Sequence, residues 1–146
     1  MKNMKGEDGF INEEKAAMKA RAEETKRGRK RALPGRDEGE KELLEAISKM
    51  PEDDRKIATR LHSIVKRSAH SLSPRTWYGM PAYELEGKVV CFFQPAAKFK
   101  TRYATIGFTD RAALDNGSMW SVAYAIKALG DREEETITGL LKKALS

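Results

Sequence analysis

Trp77, Tyr78 and Tyr83 stand a short distance ahead of Lys98, Lys100 and Arg102, and these side chains are the chain's best candidates for chemistry. Lysines on either side of Phe99, beside an apolar strand, can neutralise an anion. Indole and phenol rings supply a flat apolar wall. A concave sheet face lined in this way would take a small anionic or planar ligand. The same residues have a plainer use, with the aromatics filling a core and the cations decorating a hairpin. Both readings stand at this point.

Other chemistries find less support. His62 and His70 lie eight positions apart on one helix, too far for the usual i, i+3 or i, i+4 metal clamp. They read as surface or boundary histidines near a helix end. With no cysteine pair and no His-Glu-x-x-His, no metal ligand is assigned. The acidic groups Glu52-Asp53-Asp54 and Glu133-Glu134-Glu135 fall at helix starts, where the positive end of the dipole already accounts for them. Cys91 sits inside the apolar run Val89–Phe93 and reads as a small buried hydrophobe, not as a thiolate nucleophile. No nucleophile elbow, phosphate-binding loop or dinucleotide fingerprint occurs, so the expectation is a protein that is not an enzyme.

A single cysteine, no signal-like apolar stretch near the N-terminus and no apolar run of membrane-spanning length point to a cytoplasmic setting without a membrane partner. The net charge of +6 is unevenly spread. Residues 1–36 carry a balance of +5 and residues 37–146 only +1, so the basicity belongs to the N-terminal segment. Its densest part is Lys26, Arg27, Arg29, Lys30 and Arg31. These residues could contact phosphates by releasing counterions, but no aromatic residue accompanies them for base stacking. A solvated helix end or flexible arm accounts for them more simply than a nucleic-acid site.

The elements that must position these residues are legible in the pattern. Asn12 can cap an alanine-rich helix over Glu13–Arg31, which has only Met18 as a large apolar residue. Leu33-Pro34-Gly35 breaks it. A second helix starts at Asp37–Gly39 with Leu43, Leu44 and Ile47 on one side. A third follows Pro51, with Ile57, Leu61, Ile64 and Val65 at helical spacing, and closes by Ser73-Pro74. Strands are expected at Arg75–Tyr78, Tyr83–Leu85, Val89–Phe93 and Arg102–Phe108, with a corner at Gly79-Met80-Pro81 and a hairpin turn at Glu86-Gly87. The apolar Val89–Phe93 run marks the central strand. Arg111–Leu114 reads as a short helix. Residues 120–126 fit either period, and their aromatic and β-branched content favours a strand. A last helix is expected from a capping Asp131 with Glu134, burying Ile137, Leu140, Leu141 and Ala144.

The sequence Trp77-Tyr78-Gly79-Met80-Pro81-Ala82-Tyr83, then Gly87-Lys88-Val89-Val90-Cys91-Phe92-Phe93, then Lys98-Phe99-Lys100, resembles the YdhG-like family of small bacterial domains. That family shows an aromatic corner, a hairpin ending in two aromatics and a lysine after the next turn. The resemblance spans Asp37 to Ser146. The start Phe10-Ile11-Asn12-Glu13-Glu14, with Ala17-Met18, is similar to an extension found in a subgroup. The resemblance implies a two-layer α+β fold and a non-enzymatic role. Some relatives are called frataxin-like intracellular iron chaperones, so iron is a cofactor that the resemblance allows, although no residue here matches an iron ligand.

The expectation is therefore a basic helical extension over 1–36 and an α+β domain over 37–146. The domain would be a mainly antiparallel sheet of about five strands with helices on one face. Its function would be to bind a small ligand at Trp77, Tyr78, Tyr83, Lys98, Lys100 and Arg102. Iron chaperoning and accessory binding of nucleic acid or protein through the basic segment are the alternatives.

Overall fold

The computed structural model describes residues 35–146. The helix expected over Glu13–Arg31 and its basic run lie outside these residues. Helix α1 (Arg36–Ser48) begins at Gly35 with no side-chain cap, and Asp37 and Glu38 occupy its first turn. Arg36 anchors this start by donating from Nη1 to the carbonyls of His70 (2.8 Å) and Leu72 (3.1 Å). Leu43 and Ile47 face the core, whereas Leu44, expected beside them, is 48% exposed.

Helix α2 (Glu52–Ser68) follows Pro51 and buries Ile57, Leu61, Ile64 and Val65 as their spacing predicts. The chain then runs directly into strand β1 (Ser73–Trp77). Ser73 and Pro74, expected to terminate the helix, instead open that strand. β1 is a sheet edge, so the amide that Pro74 lacks is not needed by a second neighbour.

Strands β2 (Met80–Leu85), β3 (Lys88–Gln94), β4 (Ala104–Phe108) and β5 (Ala123–Ile126) complete an antiparallel sheet in sequence order. β3 is central, as its apolar run demands. The β1–β2 and β2–β3 hairpins turn at Tyr78-Gly79 and Glu86-Gly87, each pair with positive φ at both residues (54° and 76°, 53° and 83°). That geometry matches the right-handed strand twist. The corner expected at Gly79-Met80-Pro81 is thus displaced. The turn is Tyr78-Gly79, and Met80 and Pro81 belong to β2, where Pro81 pairs only with Thr76 of β1.

A bulge between β2 and β3 pairs Tyr83 with Cys91 and Glu84 with Val89, which leaves Val90 as the extra residue. Val90 and Cys91 consequently both enter the core. Pro95 then leads into the single-turn helix α3 (Ala96–Phe99). Helix α4 (Asp131–Ala144) closes the chain, burying Ile137, Leu141 and Ala144. Its cap lies one residue earlier than expected. Gly130 is the N-cap, and its N–H donates to Glu133 Oε1 at 2.9 Å, where the sequence suggested Asp131 and Glu134. Asp131 and Glu134 instead bind Arg60 of α2 at 2.8 and 2.9 Å, joining the two helices.

Two other expectations fail for identifiable reasons. Residues 111–114 are not a helix: a turn closes with Ala112 N–H on Thr109 O (3.1 Å), and the chain then leaves it with Ala113 N–H on Ala144 O at the end of α4 (3.0 Å). Only Ala123–Ile126 of the 120–126 segment is strand. β4 ends at Phe108, whose N–H donates to Val122 O, so Trp120 has no strand to pair with and stays 39% exposed.

The register separates the two sheet faces. Tyr83, Cys91 and Phe108 share one row, and Phe93 and Ile106 the next; all join the core beneath the helices. Arg75, Ala82, Phe92 and Gly107 form a row on the opposite face. The fold is α+β, with the helices on the core side of a five-stranded antiparallel sheet.

The tightest helix–sheet contact is at Gly39. A Cβ built there would lie 2.2 Å from the Pro74 carbonyl oxygen. Helix propensity alone says that Gly39→Ala stabilises α1 by about 1 kcal/mol. The contact is with backbone that cannot rotate away, so the opposite sign is expected: a loss of about 1–3 kcal/mol in urea unfolding. A raised unfolding midpoint would refute this packing.

Candidate functional site

A cleft of about 520 Å³ opens between the C-terminal half of α1, the Met50–Pro51 link, the Tyr78–Gly79 turn and α3. Ala46, Met50, Pro51 and Pro95 give it an aliphatic lining. Glu42, Glu45, Lys49 and Lys98 bring charge of both signs to its walls. Asp54 holds one wall in place. Its buried carboxylate accepts the N–H groups of Ala96 (3.1 Å) and Ala97 (3.0 Å), so an acid from the first turn of α2 caps α3. The sequence assigned Asp54 only to the dipole of its own helix.

Lys98 is half-buried, and its ammonium donates to the Tyr78 carbonyl at 3.3 Å. Its Nζ also lies 5.9 Å from the centre of the Phe99 ring. This brings the start of the basic stretch to the β1–β2 turn. Tyr78 adopts φ 54°, a left-handed conformation unusual for a residue with a Cβ.

The other expected site residues are dispersed. Side chains alternate along β1, so Thr76 points to the cleft side and Trp77 to the far face. There Trp77 packs against Tyr78 (5.0 Å between ring centres) and Phe92 (5.3 Å). Lys100 is exposed at the left-handed C-cap of α3, and Arg102 is exposed with its guanidinium 5.1 Å from the centre of the Tyr103 ring. Neither lines the cleft. Tyr83 is 1% exposed and belongs to the core. The aromatic wall expected from Trp77 and Tyr83 is therefore absent from the cleft, whose walls are aliphatic and charged.

Tyr83 leads instead to a polar network that the sequence did not disclose. His62 is buried and not a surface or boundary residue. Its ring lies against that of Tyr83, with centres 5.9 Å apart. The short 2.6 Å contact to Glu40 Oε2 assigns the proton to Nε2, which donates to the carboxylate. Nδ1 shares a hydrogen bond with the Tyr83 hydroxyl at 3.0 Å. Lys66 completes the set at 2.9 Å from the same Glu40 oxygen.

The Lys66 hydrogen bond, followed by that from His62, holds the Glu40 carboxyl below its ordinary pKa. Burial above all, then the Cys91 and Glu40 charges, raises the Tyr83 phenol well above its own. Burial also pushes the Cys91 thiol up to about 12. A histidine following Leu61 within the stripe Ile57–Leu61–Ile64–Val65 was the available signal, since a polar residue on the margin of a buried stripe needs internal partners. A small cavity of about 70 Å³ adjoins the network beside Arg36 and His70.

Among the described residues no group of three or more His, Cys, Asp or Glu is placed to hold a metal ion. No helix among them is long and apolar enough to cross a membrane. The basic run 26–31 lies outside them. Comparisons with protein-family models, with curated proteins and with solved structures each find no match.

The network makes two linked predictions. Tyr83→Phe removes one oxygen and leaves buried His62 Nδ1 without its hydrogen-bond partner, so stability should fall by about 1–3 kcal/mol. Glu40→Gln should destabilise the protein at pH 7. Because the folded pKa of Glu40 lies below the unfolded one, ionised Glu40 contributes stability that is present above the unfolded value and lost as pH falls through the folded one. The gap between wild type and Glu40→Gln, followed by urea unfolding, should therefore narrow through the acid limb. A gap that stays constant from pH 7 to pH 3 would remove Glu40 from that role.

Proposed function

We propose that this chain is a non-catalytic binding module for a small molecule carrying a carboxylate or phosphate group, held in the cleft between α1 and α3. The observation that carries this reading is the position of Lys98. Its stem lies along the cleft wall, and its ammonium is steered to the Tyr78–Gly79 turn by the Tyr78 carbonyl. Lys49 lines the same cleft, so two cations can share one anionic group. The aliphatic residues Ala46, Met50, Pro51 and Pro95 lower the local dielectric and strengthen that attraction. Asp54 keeps the α3 wall rigid, which limits the ordering cost of binding.

The YdhG-like assignment belongs to this proposal. Its support is the sequence of the Tyr78–Gly79 turn, the Glu86–Gly87 hairpin and the lysine after β3. The iron-chaperone role allowed by that resemblance draws no supporting ligand set from the described residues. The cleft instead favours an organic anion.

Thermal unfolding of the full chain in millimolar citrate, inorganic phosphate or a nucleoside monophosphate tests the reading. At a hundredfold excess over Kd, a true ligand stabilises the protein by about 2.7 kcal/mol, which appears as a rise in Tm. Lys98→Ala should abolish the rise, and Lys100→Ala, outside the cleft, should leave it intact. Wild type showing no rise with any of the three anions, or Lys98→Ala showing the same rise as wild type, would defeat the proposal.

A further inference from the structure

β5 ends the sheet on the side away from β1, and no strand among the described residues pairs with its outer edge. The Phe108 N–H donates to the Val122 carbonyl, and the register continues with Ile106 opposite Tyr124 and Ala104 opposite Ile126. Hydrogen bonds alternate sides along a strand, so Val122, Tyr124 and Ile126 direct their backbone groups to β4. The N–H and C=O groups of Ala123 and Ala125 therefore point outward, away from β4. Both alanines are exposed, so no side chain of their own shields these donors and acceptors.

A groove of about 220 Å³ runs beneath this edge, between β5 and α4. Tyr124 and Ile126 line it from the strand, and Ile137 and Leu140 from the helix. Side chains alternate with the pleat, so on a strand added beyond β5 every second residue would enter the groove. Met119, 88% exposed, Trp120 and Val122 carry apolar surface up to the start of β5. Natural sheet edges are usually blunted by charge, proline or a covering element, yet β5 itself reads Ala-Tyr-Ala-Ile. Charge is confined to one end. Lys127 follows the strand directly, and the short link 127–130 brings Arg132 of α4 to the groove. Glu133 lines it too, but its Oε1 is engaged by the Gly130 N–H, so that end of the groove favours an anionic partner.

We propose that β5 accepts an extended peptide of a partner protein as a sixth, antiparallel strand, with two alternate aliphatic side chains in the groove and acidic residues at the end that meets Lys127 and Arg132. Main-chain hydrogen bonds to Ala123 and Ala125 supply attachment, and the groove and the two cations select the sequence. The small side chains of Ala123 and Ala125 leave the opposite face of the added strand unobstructed. Lys98 lies outside this groove, so the inference is independent of the anion cleft.

The probe is the peptide acetyl-Asp-Glu-Leu-Thr-Leu-Thr-amide, titrated at millimolar concentration into the full chain at low salt and followed by amide NMR. Saturation should slow hydrogen exchange at Ala123 and Ala125 by at least about tenfold. Ala125→Pro deletes one outward donor and no bond to β4, so it should weaken binding by about tenfold or more. Arg132→Glu should weaken it about fivefold, an effect that fades in about 0.5 M NaCl. The same peptide with aspartate in place of both leucines should not bind. No binding by the wild type, binding without slower exchange at Ala123 and Ala125, or undiminished binding by folded Ala125→Pro would each overturn the proposal. If Ala125→Pro does not fold, the exchange measurement on the wild type decides alone. Exchange at these two amides that slows with protein concentration and no peptide would place a second copy of the chain on the edge, and that also overturns the peptide assignment. Lys98→Ala should bind the peptide as the wild type does, which separates this result from that of the anion test.

Discussion

A buried imidazole can be kept only if both of its nitrogens find partners, and that requirement organises this fold. His62 meets it with a carboxylate from α1 on one side and a phenol from β2 on the other. Three elements distant in sequence thus converge on one ring. Hydrophobic burial would draw the same helices onto the same sheet, but it is tolerant of small slides and rotations. The polar contacts are not, because a misplaced helix would leave a nitrogen or a hydroxyl unsatisfied in a low-dielectric interior. The close approach at Gly39, where α1 rests on the Pro74 carbonyl, adds a steric limit to the same placement.

The cleft follows from that placement. With α1 fixed against β1, its C-terminal half overhangs the β1–β2 turn. Asp54, at the start of the neighbouring helix, reaches over to hold the amides that open α3. The two walls are therefore set by separate interactions, one a hydrogen-bonded ring and the other a helix cap borrowed from another element. Neither wall depends on the aromatic cluster of the far face, where Phe92 covers Gly107 so closely that a Cβ there would lie 2.4 Å from its ring. The ring supplies the apolar cover that a glycine in a strand cannot supply for itself.

Local chemistry was legible in the sequence; convergence was not. The α2 stripe, the Glu86-Gly87 turn and the central position of Val89–Phe93 all follow from residue type and spacing, because each is decided within a dozen residues. The lysine at the turn after β3 was also visible, and Lys98 does meet Tyr78. What escaped was set by partners far along the chain. His62 looked peripheral because its two partners, Glu40 and Tyr83, are each more than twenty residues away. Asp54 looked like an ordinary first-turn acid because the amides that it caps are more than forty residues away. Trp77 and Tyr83 looked like one wall, yet a turn and a strand separate them, and the pleat sends them to opposite sides of the sheet. At 111–114, where a short helix was expected, the chain is instead tied to a carbonyl at the far end of the chain.

Tyr78 is the point at which the two sides of the sheet touch. Its carbonyl is gripped from the cleft by Lys98, while its ring leans on Trp77 across the other face. It is also held in a backbone conformation that side-chain-bearing residues rarely adopt. The Lys98 ammonium is therefore one of the restraints on that conformation, and the Trp77 ring packs against the same residue. The hairpin tip thus ties the two sides of the sheet together through a single residue, whose carbonyl meets the cleft wall and whose ring meets the aromatic cluster.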